Sequence, residues 1–252
     1  MEFALPQNIF TSIFIKNLPK DIQNMVEYLP SSLLLKNFSA QDYDIGLVPS
    51  CDIILSENNF FVSNKYAISF DGKLSNSNFY FKNNDIKNLH VKGDVSKNEI
   101  LLTKILFLEK YDIDVELALD IYTSEIQNEN LLLVGDENLK RENLEQGISF
   151  ADYFAELLDY PYVNYLLVAK EKEVLFDFAK HLECLDIRIE DNLELLLNEL
   201  EIDTDVKKLF IDNFNSVYYE LTKNEIDGIK EMVKLMYYYG QIDNIRELNF
   251  IG

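Results

Sequence analysis

The side chains that most often carry catalysis are scarce in this chain, so any chemistry falls to hydroxyls, amides and backbone N–H groups. Histidine occurs only at His90 and His181, and a Ser-His-acid triad or a histidine-based metal site would have to use one of them. Neither has a partner at ligand spacing: His-x-x-x-His, Cys-x-x-Cys and Gly-x-Gly-x-x-Gly are all absent. Arginine is confined to Arg141, Arg188 and Arg246, which leaves no visible bidentate cluster for carboxylate or phosphate. The acidic pairs Asp112/Asp114 and Glu199/Glu201 read as solvated faces, and Tyr237-Tyr238-Tyr239 as core and rim packing on an amphipathic helix. No metal and no cofactor is expected from these patterns.

Two strand-to-turn junctions are more informative. Tyr43 to Ser50 runs from a buried strand into Pro49-Ser50, and Leu131 to Leu139 runs from another into Gly135-Asp136-Glu137-Asn138. A strand whose end opens on hydroxyl and backbone N–H groups is where α/β proteins hold small ligands. A third apolar run, Tyr162 to Ala169, follows Asp159-Tyr160-Pro161.

The elements needed to position these junctions can be read in outline. Phe3 to Leu5 is an opening strand with Pro6-Gln7-Asn8 as its turn, and Ile9 to Ile15 is ambiguous between helix and strand. Ser31 to Leu35 reads as a strand after Pro30, and Ile45 to Val48 as another. Phe60 to Phe81 alternates as hairpin-like strands broken at Asp71-Gly72. Ser96-Lys97-Asn98-Glu99 fits a capping box and predicts a helix from Lys97, with Ile100, Leu101, Ile105 and Leu108 at helical spacing. Leu131 to Val134 is the next buried strand and Ser149 to Leu158 the helix after it. Beyond Ala169 the pattern is almost wholly helical, ending in a helix introduced by the Thr222-Lys223-Asn224-Glu225 box and closed by Gly240.

At 252 residues the chain can form one large domain or two lobes of about 100 residues each. A formal charge of -21 argues against nucleic acid and anionic membrane surfaces as partners. No export signal and no apolar run of membrane-spanning length is present, so the cytoplasm is the expected compartment. Cys51 and Cys184, far apart in sequence, are expected as reduced, buried thiols. Composition says nothing about oligomeric state.

In order along the chain, these segments resemble a known family, the menaquinone biosynthesis proteins of the futalosine pathway, and specifically the chorismate dehydratase type. Tyr43 to Ser50 resembles that family's strand ending in Val-Pro-Ser, and Asp71-Gly72 the glycine before its serine-containing ligand loop. Leu131 to Leu139 is similar to its Leu-Leu-Ile-Gly-Asp-x-Ala-Leu. Phe154 to Val163 resembles its Trp-x-x-x-Thr-Gly-Leu-Pro-Phe-Val. The C-terminal Tyr219-Glu220-Leu221 through Gly228, Gly240-Gln241-Ile242 and Leu248-Asn249-Phe250 look like its closing helix and tail. A sister family that cleaves cyclic dehypoxanthine futalosine places a histidine where Gly135 to Asn138 stand here.

The resemblance implies an α/β chain of two lobes around a cleft, like the type II periplasmic-binding-protein fold, with a C-terminal helical segment. The expected division puts residues 1–85 and 170–252 in one lobe and 86–169 in the other. It implies a cytoplasmic carbon-oxygen lyase that eliminates water from chorismate, a small anion, to give 3-[(1-carboxyvinyl)oxy]benzoate. Asn8 is the expected catalytic residue, as the survivor of the family's Tyr-Leu-Asn-x-x-Pro, while Thr11, Ser50, Ser75, Asn76, Ser96 and Asn98 are expected to bind substrate. The family's Thr-Ser at the start of its cleft-facing helix is Asn98-Glu99 here, and a glutamate there competes with a substrate carboxylate for helix N–H groups. The competing expectation is a binding or regulatory protein of the same fold that performs no chemistry. A paralogue with an empty cleft is the third.

Overall fold

The computed structural model describes residues 2–40, 43–119, 129–139, 147–200 and 202–252. Its first part alternates β1 (Phe3–Leu5), α1 (Ile9–Lys16), α2 (Lys20–Gln23), β2 (Val26–Tyr28), α3 (Ser31–Ala40), β3 (Ile45–Pro49), α4 (Ser50–Leu55) and β4 (Phe61–Phe70). The middle carries β5 (Ser77–Tyr80), β6 (Asn88–Gly93), α5 (Lys97–Tyr111), β7 (Glu116–Leu119), β8 (Leu131–Val134), α6 (Asp136–Leu139), β9 (Ile148–Ser149) and α7 (Phe150–Leu158). The chain then runs through β10 (Tyr162–Ala169), α8 (Lys172–Ala179), α9 (Leu185–Glu199), α10 (Thr204–Asn213), β11 (Val217–Glu220), α11 (Lys223–Tyr238) and β12 (Asn249–Ile251).

Hydrogen bonding sorts these strands into two sheets. The first has the order β11-β4-β10-β3-β1-β2, with β12 added to β4, and the second β7-β6-β8-β5-β9. Each sheet with its helices forms a lobe. The chain crosses between them twice, from Phe70 to Ser77 and from Leu158 to Tyr162. These crossings replace the sequence-based boundaries at 85/86 and 169/170. β5 belongs to the second sheet, bonded to β8 and β9, and β10 lies at the centre of the first, between β3 and β4. β4 and β5 therefore form no hairpin, because Asp71-Gly72 turns the chain from one lobe into the other rather than back on itself. Gly72 is required there: its φ of +139 disfavours a side chain, and a Cβ would lie 2.9 Å from the Cβ of Ser216.

Local chemistry explains most element starts. The Ser96/Glu99 box opens α5 and the Thr222/Glu225 box opens α11, each with side chain and backbone satisfying one another. Asn8 and Thr11 make the same reciprocal arrangement at α1, which resolves Ile9 to Ile15 as helix. Ser31 to Leu35, expected as a strand, is instead the first half of helix α3, with Leu34 and Phe38 buried one turn apart. Its cap comes from Asp94, in the other lobe, which accepts from both the Ser31 N–H and hydroxyl. The expected burial of both cysteines is also corrected: Cys51 is buried, but Cys184 is exposed, at the left-handed residue before α9.

The core is aromatic. Phe10 packs edge-on against Phe70, Phe3 against Phe178, and Phe79 meets Phe107 and Phe150. Burying each such ring contributes on the order of 2 kcal/mol. All eight residues of β10 are buried, Asn164 included. Among the described residues no helix is long and apolar enough to cross a membrane.

Candidate functional site

The carboxyl ends of four strands meet at one buried seam between the lobes. β1 and β3 are parallel in the first sheet, as are β6 and β8 in the second. Their continuations are Pro6-Gln7-Asn8, Ser50, Asp94 and Gly135-Asp136, and cross-lobe bonds join them. Ser31 bonds to Asp94, the Ile9 N–H donates to Asp136 Oδ1 at 3.1 Å, and the Cys51 N–H donates to Asn98 Oδ1 at 2.8 Å. Carboxyl ends of strands are where α/β folds take ligands.

The centre of this seam is set by a β-bulge. Between Val163 and Tyr165 the register of β10 against β4 slips, so Asn164 is an extra residue without a β4 partner. Tyr162 and Tyr165, three apart, consequently pack in the same core, whereas Val163, Leu166 and Val168 pack in the other. A bulge of this kind re-aims side chains and is common beside active sites. Here it aims two groups at the seam. The Tyr165 hydroxyl accepts from Asn8 Nδ2 at 3.3 Å and from Asn76 Nδ2 at 3.1 Å. The Asn164 Oδ1 accepts from Asn98 Nδ2 at 2.7 Å and from the Tyr162 hydroxyl at 2.9 Å.

Buried polar groups are almost always partnered, so the exceptions matter. Asn76 Oδ1 and Asn164 Nδ2 are buried with no hydrogen-bond partner among the described residues. Asn164 Nδ2 stands close enough to the Tyr165 hydroxyl to favour its ionised form, yet makes no hydrogen bond of normal length to it. One spare acceptor and one spare donor thus flank the same phenol. Burial pushes the Tyr165 and Tyr162 hydroxyls well above the usual phenol range, and the charge of Glu99 adds to this. Both phenols are neutral at pH 7 and can donate as well as accept.

Carboxylates rim the cluster. Burial raises Glu99, against the opposing pull of its bonds from Ser96, and it raises Asp94, against those from Ser31. Asp52 is likewise raised by burial, although Lys97 lies 3.1 Å away and holds it down. An open surface hollow of about 400 Å³ lies elsewhere, lined by Asp71, Asp152, Glu156 and Asp159 among others. Four acids on an open surface suit neither a small anion nor tight orientation, so the buried polar cluster at the seam is the better candidate.

The sequence-predicted residues separate into two groups. Asn8 and Asn76 meet at Tyr165, and Ser50 and Asn98 meet at Asn164, with the Ser50 Oγ 3.4 Å from Asn98 Oδ1. The hydroxyls of the other three are engaged locally. Thr11 Oγ1 donates to the Pro6 carbonyl and accepts from the Asn8 N–H, Ser75 Oγ accepts from Ser77 and Ala151, and Ser96 Oγ caps α5 and donates to Glu99. Thr11 and Ser96 therefore shape the site with hydroxyls already donated, while Ser75 Oγ is held as an acceptor by two backbone N–H groups. Sequence reading missed Ser31, Asp94, Asp136, Asn164 and Tyr165. Asn164 had a signal, since an amide inside a continuous apolar strand needs partners. Glu201 and Arg141 lie outside the described residues.

No protein-family model matches the chain, and no curated protein sequence does. Solved structures do. Protein AF1704 from Archaeoglobus fulgidus superposes with a TM-score of 0.68 at 17% identity, covering 96% of this chain and 98% of that one. The alkanesulfonate-binding protein SsuA from Xanthomonas axonopodis pv. citri, bound to MOPS, gives 0.60 at 11% identity over 99% and 97%. The Candida albicans CA3427 product, which exhibits the generic periplasmic binding protein fold, gives 0.56 at 10% identity over 99% and 92%.

Proposed function

We infer that this chain, whose two α/β lobes have the periplasmic-binding-protein-like fold, takes its ligand at the seam between them. We propose that it closes these lobes on a small anionic molecule, that the molecule is chorismate, and that it eliminates water from it in the manner of the family it resembles. The observation that carries this reading is the convergence of Asn8 and Asn76, from opposite lobes, on the Tyr165 hydroxyl. Both amides stand at positions where the resemblance calls for ligand contacts. The Xanthomonas neighbour, with MOPS bound, is a small-anion binder of the same architecture.

Dehydration of a cyclohexadienol takes a proton from one ring carbon and hydroxide from its neighbour, and forming the aromatic ring drives it. The seam supplies orientation and neutral donors. Asn164 Nδ2 and the Tyr165 hydroxyl would hold hydroxyl or carboxylate oxygens, and Asn76 Oδ1 would accept from the departing hydroxyl. Asp94, a carboxylate while it holds Ser31, would on release from that contact take the ring proton and return it to the hydroxyl as it leaves as water. Cytoplasmic placement goes with this activity.

A second reading, ligand binding without chemistry, is favoured by the acids at the seam. Glu99, Asp94 and Asp136 already take N–H groups that a dianion would use. Incubating purified protein with chorismate and following its loss by chromatography separates the two. Turnover supports the lyase, a chorismate-induced thermal shift without turnover supports the binder, and neither result would overturn chorismate as the ligand.

A further inference from the structure

The contact between Ser31 and Asp94 has the chemistry of an occupied anion site. α3 begins at Ser31 and runs ten residues, so its first N–H groups carry partial positive charge and lack intrahelical partners. Asp94 meets them from the other lobe, with Oδ1 2.8 Å from the Ser31 N and Oδ2 2.6 Å from the Ser31 Oγ. Both carboxylate oxygens are thus held by one residue, as a ligand carboxylate would be. Asp94 is delivered by Gly93, whose φ of +117 and 2.0 Å approach of a hypothetical Cβ to the Val134 carbonyl leave room for no side chain. A second carboxylate, Asp136, takes the Ile9 N–H at the start of α1.

The site adjoins the unpartnered amides. The Ser31 hydroxyl and the Asp94 charge both bear on Tyr165, and Asn164 Nδ2, about 99% buried by residue, stands at the same phenol without a partner. A molecule reaching Asn164 therefore also reaches Ser31.

Resting on the reading of this seam as the ligand site, we propose that Asp94 is an internal competitor for the ligand's anionic group. It fills an anion site made by the Ser31 N–H and hydroxyl at the start of α3, and an incoming carboxylate takes its place. Asp94 then sets specificity in two ways. It makes a ligand without a second acidic group unable to displace the contact, and it couples displacement to the two bonds from Asp94 that join α3 to the second lobe. Weak anions are screened out, and the Asp94 latch on α3 opens as the ligand enters.

Titration calorimetry with chorismate on the full chain and on Asp94→Ala tests this. Removing the competing charge is expected to tighten chorismate binding by about tenfold, while lowering the unfolding midpoint without ligand by about 3 °C. Weaker or unchanged binding to Asp94→Ala overturns the proposal. A sulfate arm, with chloride at matched ionic strength as control, separates this from failure of the chorismate reading. If neither protein binds chorismate but sulfate stabilises Asp94→Ala more than wild type, the substrate is wrong and the competitor stands. If sulfate acts equally on both, the competitor is overturned. Should Asp94→Ala not fold, Asp94→Asn carries the same comparison, because it removes the charge and keeps the shape.

Discussion

Tyr165 and Ser31 stand together at the buried seam between the lobes, and the bonds made at each differ in kind. At Ser31 a charged group from the second lobe is fully used: both Asp94 oxygens are bonded, at 2.8 and 2.6 Å. At Tyr165 and Asn164 the partners are neutral, one bond is as long as 3.3 Å, and two amide atoms are left over. Charge-assisted bonds are roughly twice as strong as neutral ones. The first set holds the lobes together, and the second keeps hydrogen-bonding capacity in reserve at the cost of buried unsatisfied groups. On the proposed reading, the amide cluster offers the ligand its spare hydrogen-bonding atoms, and the latch gives up Ser31 to the ligand's anionic group.

Substitutions that attack the two halves should separate them. Gly93→Ala pushes a Cβ into the Val134 carbonyl and displaces the arm that carries Asp94. It should cost about 3 kcal/mol or more, read as a fall in the urea midpoint. Asn98→Ala strips partners from the Cys51 N–H and from the Asn164 side chain and carbonyl, and so leaves several buried groups unpaired. A loss of about 2–3 kcal/mol is expected. A smaller figure would mean that water replaces the amide, and that this junction is wetter than the latch.

Asp186 offers a control, a carboxylate held by two backbone N–H groups, those of Tyr219 and Glu220, within one lobe. Burial is the main cause that lifts it to about 6, above its unfolded value of about 3.9. Between those values the folded chain keeps a proton that the unfolded chain has released. The favourable contribution is therefore complete below about pH 4 and is lost as pH rises through about 6. From pH 4 to 7 wild type should lose about 1–2 kcal/mol relative to Asp186→Asn after solvent screening, measured by denaturant titration at each pH. Tyr165→Phe should have the smallest effect on stability, about 1 kcal/mol, and yet weaken chorismate binding by about tenfold. Equal losses in both quantities would erase the distinction between holding and binding.

What was legible in the sequence was what neighbours in sequence decide. The boxes at Ser96 and Thr222 and the strands Phe3 to Leu5 and Leu131 to Val134 depend on residues within a turn or on an unbroken apolar run, and each stands where the residues placed it. The start of α3 depends on Asp94, 63 residues away, so Ser31 to Leu35 looked like a strand. β5 and β10 were assigned to the wrong lobes because alternation shows that a strand exists but not which sheet completes it. Within the candidate site, the resemblance names Asn8 and Asn76, and both bond to Tyr165. Tyr165 itself could not be read from motifs, because only the bulge at Asn164 turns it into the seam, and a one-residue register slip leaves no mark in composition.

The most direct test of the ligand-facing role of the amide cluster is a calorimetric titration of chorismate into wild type and Asn164→Ala. Wild type should bind, and the variant should bind about tenfold or more weakly, with an unfolding midpoint within a few degrees of wild type. Equal binding by the two proteins, or no binding by wild type, would contradict it.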